Sequence, residues 1–190
     1  MKKLCTMLLA LVMMFAFAST AMAADAPGLY VNGVKQDVTI TDGQSVYDVV
    51  KAWAGDRAVW KEVASDIGDG TGMVLVSLDG YASKPYNSTK LDEYDMYTPE
   101  CGDDTLDEAN AVLLKAFPAS QGLGLWIGNG TGFGKTGNYG IYVGQDWMFT
   151  INGERPNNGQ GVDYYMNQAI VDSDDVIELT YGMVYEPFAM

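Results

Sequence analysis

The sequence predicts an α+β fold. Short apolar strands and two amphipathic helices follow one another along the chain, without the regular strand–helix–strand repeat that is typical of a parallel α/β protein. Hydrophobic residues make up 48% of the 190 residues and aromatic residues 12%, so the chain has enough apolar surface for a packed core. Disorder is therefore not expected.

The first 23 residues are predicted to be a secretory signal peptide. Two lysines at positions 2 and 3 precede an apolar run over residues 4–18, and A-M-A at 21–23 fits the small-x-small pattern that signal peptidase requires. The apolar run is shorter than the roughly 20 residues that span a bilayer. We expect a mature chain that begins near Ala24, is secreted or stays in the cell envelope, and is not inserted in the membrane. An uncleaved N-terminal anchor is the alternative.

Residues 24–70 are predicted to form a small hairpin-and-helix module. Residues 29–31 and 38–40 alternate as strands around Asn32-Gly33, which is a strong hairpin signal. Apolar residues at 46, 49, 50 and 53 then recur at helical spacing. Ser45 and Asp48 form a capping box for that helix, and Gly55 is predicted to end it. Residues 66–72 are predicted to be a linker or a long turn.

Residues 71–190 are predicted to form the larger domain. Residues 73–78 predict a buried strand that Asp79-Gly80 ends. A second helix is expected over 105–117, capped by Asp103 or Asp104 and closed by Pro118. Residues 94–98, 123–127, 147–151 and 176–181 predict further strands. The glycine-dense segment 128–144 predicts a flexible loop that carries several aromatic side chains.

Composition favours binding over catalysis. The net charge is −14 and becomes −16 once two signal-peptide lysines are removed, which disfavours nucleic acid and anionic lipid as partners. The chain has no histidine, so neither a Ser-His-Asp triad nor a Cys/His zinc site can be built. Cys5 leaves with the signal peptide, and Cys101 then has no intrachain partner. We expect no enzyme activity and no resident cofactor or metal.

Three motifs that invite a chemical interpretation are better explained by local structure. The sequence G-N-G-T-G-F-G-K-T at 128–136 ends like a phosphate-binding loop, but Asn129 stands where that loop needs its first glycine. The acidic run at 172–175 has the composition of a calcium loop, but it is short and more typical of a tight polar turn. Carboxylate pairs could cleave glycosides, yet no spacing selects one pair, so a hydrolase remains a distant alternative.

Several separated motifs in the second half of the chain occur in the order of one known family. They are D-W-M-F-T-I-N-G at 146–153, G-E-R-P at 153–156, two tyrosines at 164–165 and D-D-V-I-E at 174–178, together with the helix T-L-D-E-A at 105–109. This pattern, over about residues 73–182, resembles the C-terminal β-domain of transcobalamin and intrinsic factor, above all its bacterial secreted members. Asp146 and Ser173 depart from it at turn positions. The resemblance implies a β-grasp-like fold, a small mixed sheet packed on a helix, over residues 71–190.

The same resemblance implies a non-enzymatic secreted or cell-surface binding protein. Its ligand would be cobalamin, another corrinoid or a similar flat molecule. In the vitamin carriers the loop after the G-E-x-P segment helps to cover the corrin, and here that loop is 156–161, with Asn157 where the animal carriers have an apolar residue. The carriers also use a helical barrel that this chain lacks. The expected ligand contacts are Asn157, Asn158, Gln160, Tyr139, Tyr142 and Trp147.

A structural or adhesive surface module is the alternative function. Such a module would make contacts with an envelope protein by pairing an exposed sheet edge with a strand of its partner, which requires no pocket.

Overall fold

The protein is described here by a computed structural model that covers residues 26–65, 70–88, 90, 97–121, 125–128, 132–135, 139–159 and 163–189. It combines a mixed sheet with helices, and strands predominate, which confirms the α+β class at this level. The predicted signal peptide, residues 66–69, residues 91–96 and Gln160 lie outside the described residues. Within them, no helix is both long and apolar enough to cross a membrane.

Twelve strands and two α-helices make up the regular structure of the described residues. The helices are α1 (Val46–Ala54) and α2 (Asp104–Ala116), and single 3₁₀ turns lie at Gly55–Arg57, Pro99–Cys101 and Pro118–Ser120. The strands are β1 (Gly28–Val31), β2 (Val34–Lys35), β3 (Gln44–Ser45), β4 (Ala58–Ala64), β5 (Thr71–Leu78), β6 (Tyr81–Ala82), β7 (Lys84–Pro85), β8 (Leu125–Gly128), β9 (Gly132–Lys135), β10 (Tyr139–Ile151), β11 (Ile170–Val171) and β12 (Val176–Ala189).

The largest sheet is built around a long antiparallel ribbon. Its strand order is β2-β1-β12-β10-β9-β8, with β7 also paired to β10. All 13 residues of β10 pair with β12, in unbroken register from Tyr139 opposite Ala189 to Ile151 opposite Ile177. The pair β1–β12 is parallel and every other pair in this sheet is antiparallel. The ribbon of β10 and β12 therefore connects the part of the sheet that contains β1 and β2 with the part that contains β8 and β9.

Two smaller sheets complete the strands. The first has the order β4-β5-β6, and the second pairs β3 with β11. Strand β4 was not expected from the sequence, whereas β5 contains the predicted strand 73–78, and Asp79-Gly80 forms the turn after it as predicted. Residues 71 and 72 belong to β5 rather than to a linker, because they continue the β4–β5 ladder.

A main apolar cluster packs α1 against strands from both ends of the chain. Val46, Val49 and Val50 of α1 are fully buried. Their neighbours in this cluster include Leu29 of β1, Leu75 and Leu78 of β5, Trp147 of β10, and Ile177 and Leu179 of β12. The cluster thus draws side chains from both sides of residue 70. The predicted capping box is present, since Ser45 Oγ accepts from the Asp48 amide and the Asp48 carboxylate accepts from the Ser45 amide.

A second apolar cluster lies under α2. Leu106, Ala109 and Leu113 of the helix are fully buried against Ile141 and Val143 of β10. The thiol of Cys101 belongs to this cluster and is buried. Asp103 caps the helix and Pro118 follows its end, as the sequence predicts.

The N-terminal hairpin is present, but its second strand is not the predicted one. Asn32 and Gly33 form the turn with φ of 48° and 76°, and β2 follows at once, so that Val34 pairs with Val31. Residues 38–40 are not a strand. Val38 and Ile40 alternate because they pack against the main cluster, without joining a ladder.

The glycine-dense segment 128–144 is not one loop, contrary to the prediction. It contains β9 and the first six residues of β10. Gly140 and Gly144 belong to the strand, and an added Cβ would come within 2.4 Å of the Phe188 ring at the first and 2.3 Å of the Tyr142 hydroxyl at the second. The glycines in β10 therefore permit aromatic rings to lie over the backbone of a strand.

Candidate functional site

A cleft of about 340 Å³ lies beside the second half of β10. Its walls are three consecutive residues of β5, three of β10, two segments that follow β10, and one residue of β12. The lining residues are Met73, Val74, Leu75, Trp147, Met148, Phe149, Arg155, Pro156, Asp163, Tyr164, Tyr165, Met166 and Glu186. Three methionines and four aromatic residues make this lining mainly apolar, and three charged residues add polar character.

The cleft coincides with an unpaired stretch of the β10 edge. On this side β10 pairs with β9 up to Ile141 and with β7 at Gly144 and Gln145. At its end, Ile151 exchanges hydrogen bonds with Glu154. Among the described strands, none pairs with β10 between these points. Backbone groups alternate along a strand, so the amide and carbonyl of Phe149 point toward this open side.

The wall formed by residues 163–167 contacts β5 through a side-chain amide and an aromatic ring. Asn167 Oδ1 accepts from the Met73 amide at 2.7 Å, and Asn167 Nδ2 donates to the Thr71 carbonyl at 2.8 Å. This carboxamide makes the two hydrogen bonds that a neighbouring strand would make. The Tyr165 ring packs against Gly72, where a Cβ would approach it to 2.3 Å. Both contacts hold residues 163–167 along the strand edge.

Three charged side chains meet at the rim. Arg155 Nη1 lies 3.3 Å from Asp163 Oδ2, and Arg155 Nη2 lies 3.0 Å from Glu186 Oε1. All three side chains are about half exposed. Ion pairs at such exposure each contribute only about 0–1 kcal/mol to stability. The importance of this triad is its position, since it fixes a charge pattern at the cleft.

The same triad shows that the ribbon bends. Glu186 stands opposite Tyr142, whereas Arg155 follows the end of β10 at Ile151, nine residues further along the strand. Nine extended residues span about 30 Å, which is far more than the two side chains can bridge. We infer that the ribbon of β10 and β12 curves toward the face that carries Glu186, which brings Glu186 to the same cleft as Phe149.

Tyr139 and Tyr142, two of the expected ligand contacts, lie on opposite faces of β10. They lie three residues apart on β10, so their side chains point to opposite faces of the sheet. Tyr139 stacks on Phe117 with ring centroids 5.1 Å apart and belongs to the second cluster. Tyr142 lies over Gly144 on the other face. Burial raises the pKa of Tyr142, and the charges of Asp146 and Glu186 raise it further, so its hydroxyl stays protonated at neutral pH.

Trp147 lines the cleft but is mainly a core residue. Only 8% of its surface is exposed. Its indole Nε1 donates to the Tyr81 carbonyl at 2.9 Å, and its ring centroid lies 5.1 Å from that of Tyr181. A ligand in the cleft could therefore touch the edge of the indole, while the indole N–H is already used within the fold.

The predicted asparagine contacts lie beside the cleft, and Asn157 is occupied by its own loop. Asn157 is exposed, and its Oδ1 accepts from the Gly159 amide at 2.8 Å while its Nδ2 donates to the Arg155 carbonyl at 3.3 Å. Asn158 is half-buried and already has a partner. Neither residue lines the cleft, whereas Pro156 at the start of the same loop does.

The acidic residues that suggested other chemistry have structural partners. Asp175 Oδ2 accepts from the Asp172 amide at 2.8 Å, and Asp175 Oδ1 accepts from Asn152 Nδ2 at 2.6 Å, which confirms a polar turn. Asp103 is buried and accepts from Tyr86, Ser88 and the amides of Thr105 and Leu106. Across the described ranges, no three acidic or cysteine side chains are grouped so as to hold a metal ion.

Sequence reasoning missed most of the cleft. Met73, Met148 and Met166 are far apart in the chain, and Arg155 reaches Glu186 only through the bend of the ribbon. The G-E-R-P motif at 153–156 was the one available signal for Arg155. Comparison of the chain with family models, with curated proteins and with solved structures finds no match.

Proposed function

We propose that the chain is an exported, non-enzymatic binding protein whose ligand occupies the cleft beside β10. The observation that carries this proposal is the cleft itself, with its apolar lining and one charged rim. Ligand sites are commonly concave, mostly apolar and equipped with a few polar groups that fix orientation, and about 300 Å³ is the lower end of their size range. The absence of histidine from the sequence supports binding rather than catalysis.

The lining suits a ligand with a flat or extended apolar body. Methionine side chains adapt to irregular shapes, and they favour contact with aromatic rings. Met73 and Met148 are both half-buried and thus accessible, and Phe149 lines the same cleft. We expect apolar contacts to supply most of the affinity and the rim to select among ligands.

The fold part of the proposal is a β-grasp-type unit formed by β2, β1, β12, β10 and α1. It is supported by the strand order, by the parallel pair β1–β12 in its middle and by the burial of α1 against Leu29, Ile177 and Leu179. The resemblance to the vitamin carriers assigned the helix of this unit to residues 105–109, which lie in α2. Helix α2 packs on the distant end of the ribbon instead.

A corrinoid remains a candidate ligand within this proposal. It is supported by the resemblance over residues 73–182 and by the location of the cleft at the start of the loop 156–161. A corrin with its side chains is larger than a cleft of about 340 Å³, so the cleft would hold one edge of it. We expect such binding to be weak for the isolated chain.

Titration of the full chain with cobalamin and cobinamide, followed by absorbance and calorimetry, tests the ligand and its site. Met148→Trp fills the cleft and should abolish saturable binding, while Ile170→Trp adds the same ring at an exposed position on β11 and should not. No saturable binding at tens of micromolar would reject the corrinoid. Equal binding by both variants would reject the cleft.

The sheet edge of β12 supports the alternative of an adhesive module less well. The Leu179 carbonyl and the Tyr181 amide point to the side of β12 on which β1 lies. Because backbone groups alternate along a strand, those of Met183, Tyr185 and Pro187 point to the same side, and no described strand pairs with β12 there. Pro187 has no N–H, and it removes one donor from this open edge. An envelope protein that co-purifies with the parent chain, and equally with the Met148→Trp variant, would favour this alternative.

A further inference from the structure

We infer that the cleft selects a ligand with a positively charged group on an apolar body, and that Arg155 occupies the place of this charge in the free protein. This inference rests on the proposed function, because it names the class of ligand for the same cleft. The relevant chemistry is that of an organic ammonium or a similar cation.

The charge balance of the rim supports a cation. Two carboxylates, Asp163 and Glu186, and one base, Arg155, are the charged residues that line the cleft. Each carboxylate uses one oxygen for the guanidinium, and Asp163 Oδ1 and Glu186 Oε2 take part in neither ion pair. A ligand cation can therefore bind at the carboxylates either beside the guanidinium or in its place.

An anionic ligand would meet opposition from the same groups. Both terminal nitrogens of Arg155 already have carboxylate partners, at 3.3 and 3.0 Å, so an anion that bound at the guanidinium would lie beside two carboxylates that repel it. The net charge of −14 repels anions at longer range and steers cations toward the protein. Both effects act in the same direction.

The apolar walls favour the same class of ligand. Phe149, Tyr164 and Tyr165 contribute to the lining, and aromatic faces attract cations by about 0.5–2 kcal/mol. The chain uses this contact elsewhere, since the Arg57 guanidinium lies 4.3 Å from the centre of the Trp53 ring. In such a ligand the carboxylates of Asp163 and Glu186 would bind the cationic group, and the aromatic rings and methionines would contact the apolar part.

Three naphthalene probes that differ only in their head group test the inference. They are 2-naphthylmethylamine, 2-naphthylmethanol and 2-naphthoate, titrated into the full chain carrying ¹³C-methyl methionine. We expect the methyl signals of Met73 and Met148 to shift with the amine at a Kd about fivefold below that of the alcohol, and we expect 2-naphthoate to bind most weakly. Met183, which packs in the second cluster, is the internal control. The advantage of the amine should shrink as salt is added.

Two variants change the charge of the rim in opposite directions, so they should change the preference between the amine and 2-naphthoate in opposite directions. Arg155→Gln leaves both carboxylates and should strengthen binding of the amine, whereas the double variant Asp163→Asn, Glu186→Gln leaves the guanidinium and should favour 2-naphthoate. Circular dichroism checks that both variants fold. Equal affinity for amine and alcohol, or the opposite response of the variants, would overturn the inference while leaving the cleft as a site. If no probe shifted Met73 or Met148, the proposed binding function itself would fail with this ligand class.

Discussion

The Tyr165 ring lies so close to Gly72 that a Cβ at this glycine would stand 2.3 to 2.6 Å from three of its ring carbons. Gly72 belongs to β5, and Tyr165 lines the cleft. We expect Gly72→Ala to lower the free energy of unfolding by roughly 1–3 kcal/mol, because the ring must move out of a packed position. Urea denaturation followed by circular dichroism measures this change.

Gly70→Ala is the matched control for that variant. Gly70 lies two residues earlier, and no atom of the described residues is within 4 Å of the Cβ that would be added. Its stability should stay within about 0.5 kcal/mol of the parent. Similar losses in both variants would mean that the effect comes from the backbone of this segment and not from Tyr165.

Gly144 provides the same test for Tyr142. An added Cβ would meet the Tyr142 hydroxyl at 2.3 Å and the Lys84 carbonyl at 2.9 Å, and the second contact is with backbone that cannot easily move. We expect Gly144→Ala to cost about 1–3 kcal/mol. Gly182 lies on the paired strand, and the part of the chain that the structure describes has no atom within 4 Å of a Cβ added there, so Gly182→Ala should be nearly neutral. An equally tolerant Gly144 would show that Tyr142 is free to turn toward a ligand.

Local signals predicted the helices and the turns of the fold. Ser45 and Asp48 cap α1, and Asp103 caps α2, because these side chains bond to amides within three residues. The Asn32-Gly33 turn was also identifiable, since its left-handed backbone favours these two residues. Strand β4 was missed because its burial does not follow a simple alternation, and a bulge interrupts its pairing at Val59 and Trp60.

The site was harder to predict because it depends on contacts that are distant in sequence. Glycines at 140 and 144 indicated a loop, yet they serve to place aromatic rings over a strand. Tyr139 and Tyr142 were both expected to contact the ligand, and the alternation of β10 places them on opposite faces once the segment is a strand. The pairing of Arg155 with Glu186 requires the bend of the ribbon, which no local pattern encodes.

The buried carboxylate of Asp103 should make stability depend on acid pH. Burial alone would raise its pKa, but hydrogen bonds from Ser88, Tyr86 and two amides hold the pKa below its ordinary value of 3.8. A carboxyl whose pKa is lowered by folding stabilises the fold above 3.8 and loses this contribution as the pH falls through the folded-state pKa. We expect Asp103→Asn to cost about 1–3 kcal/mol at pH 7 and progressively less below pH 3.8.

Asp104→Asn is the control for the pH experiment. Asp104 is exposed in the first turn of the same helix, so its loss removes a favourable charge near the helix N-terminus but no buried hydrogen bonds. Its cost should be a few tenths of a kcal/mol. Urea midpoints measured from pH 2.5 to 7 compare the two variants. A difference between parent and Asp103→Asn that stays constant over this range would contradict the role of the ionised carboxylate.

The thiol of Cys101 reports on export and on the second cluster at once. Cys101 is 4% exposed among Leu106, Ala109 and Leu113, so a thiol reagent such as DTNB should react only when this part of the fold opens. Removal of the predicted signal peptide takes away Cys5. We therefore expect the exported protein to show one reactive thiol in denaturant and almost none in buffer.

Leu113→Ala should open a cavity beside the thiol and speed its reaction in buffer, whereas Val34→Ala, at an exposed position on β2, should not. Two thiols in denaturant would show that the first 23 residues are retained, and rapid reaction of the native parent would show that α2 does not shield Cys101.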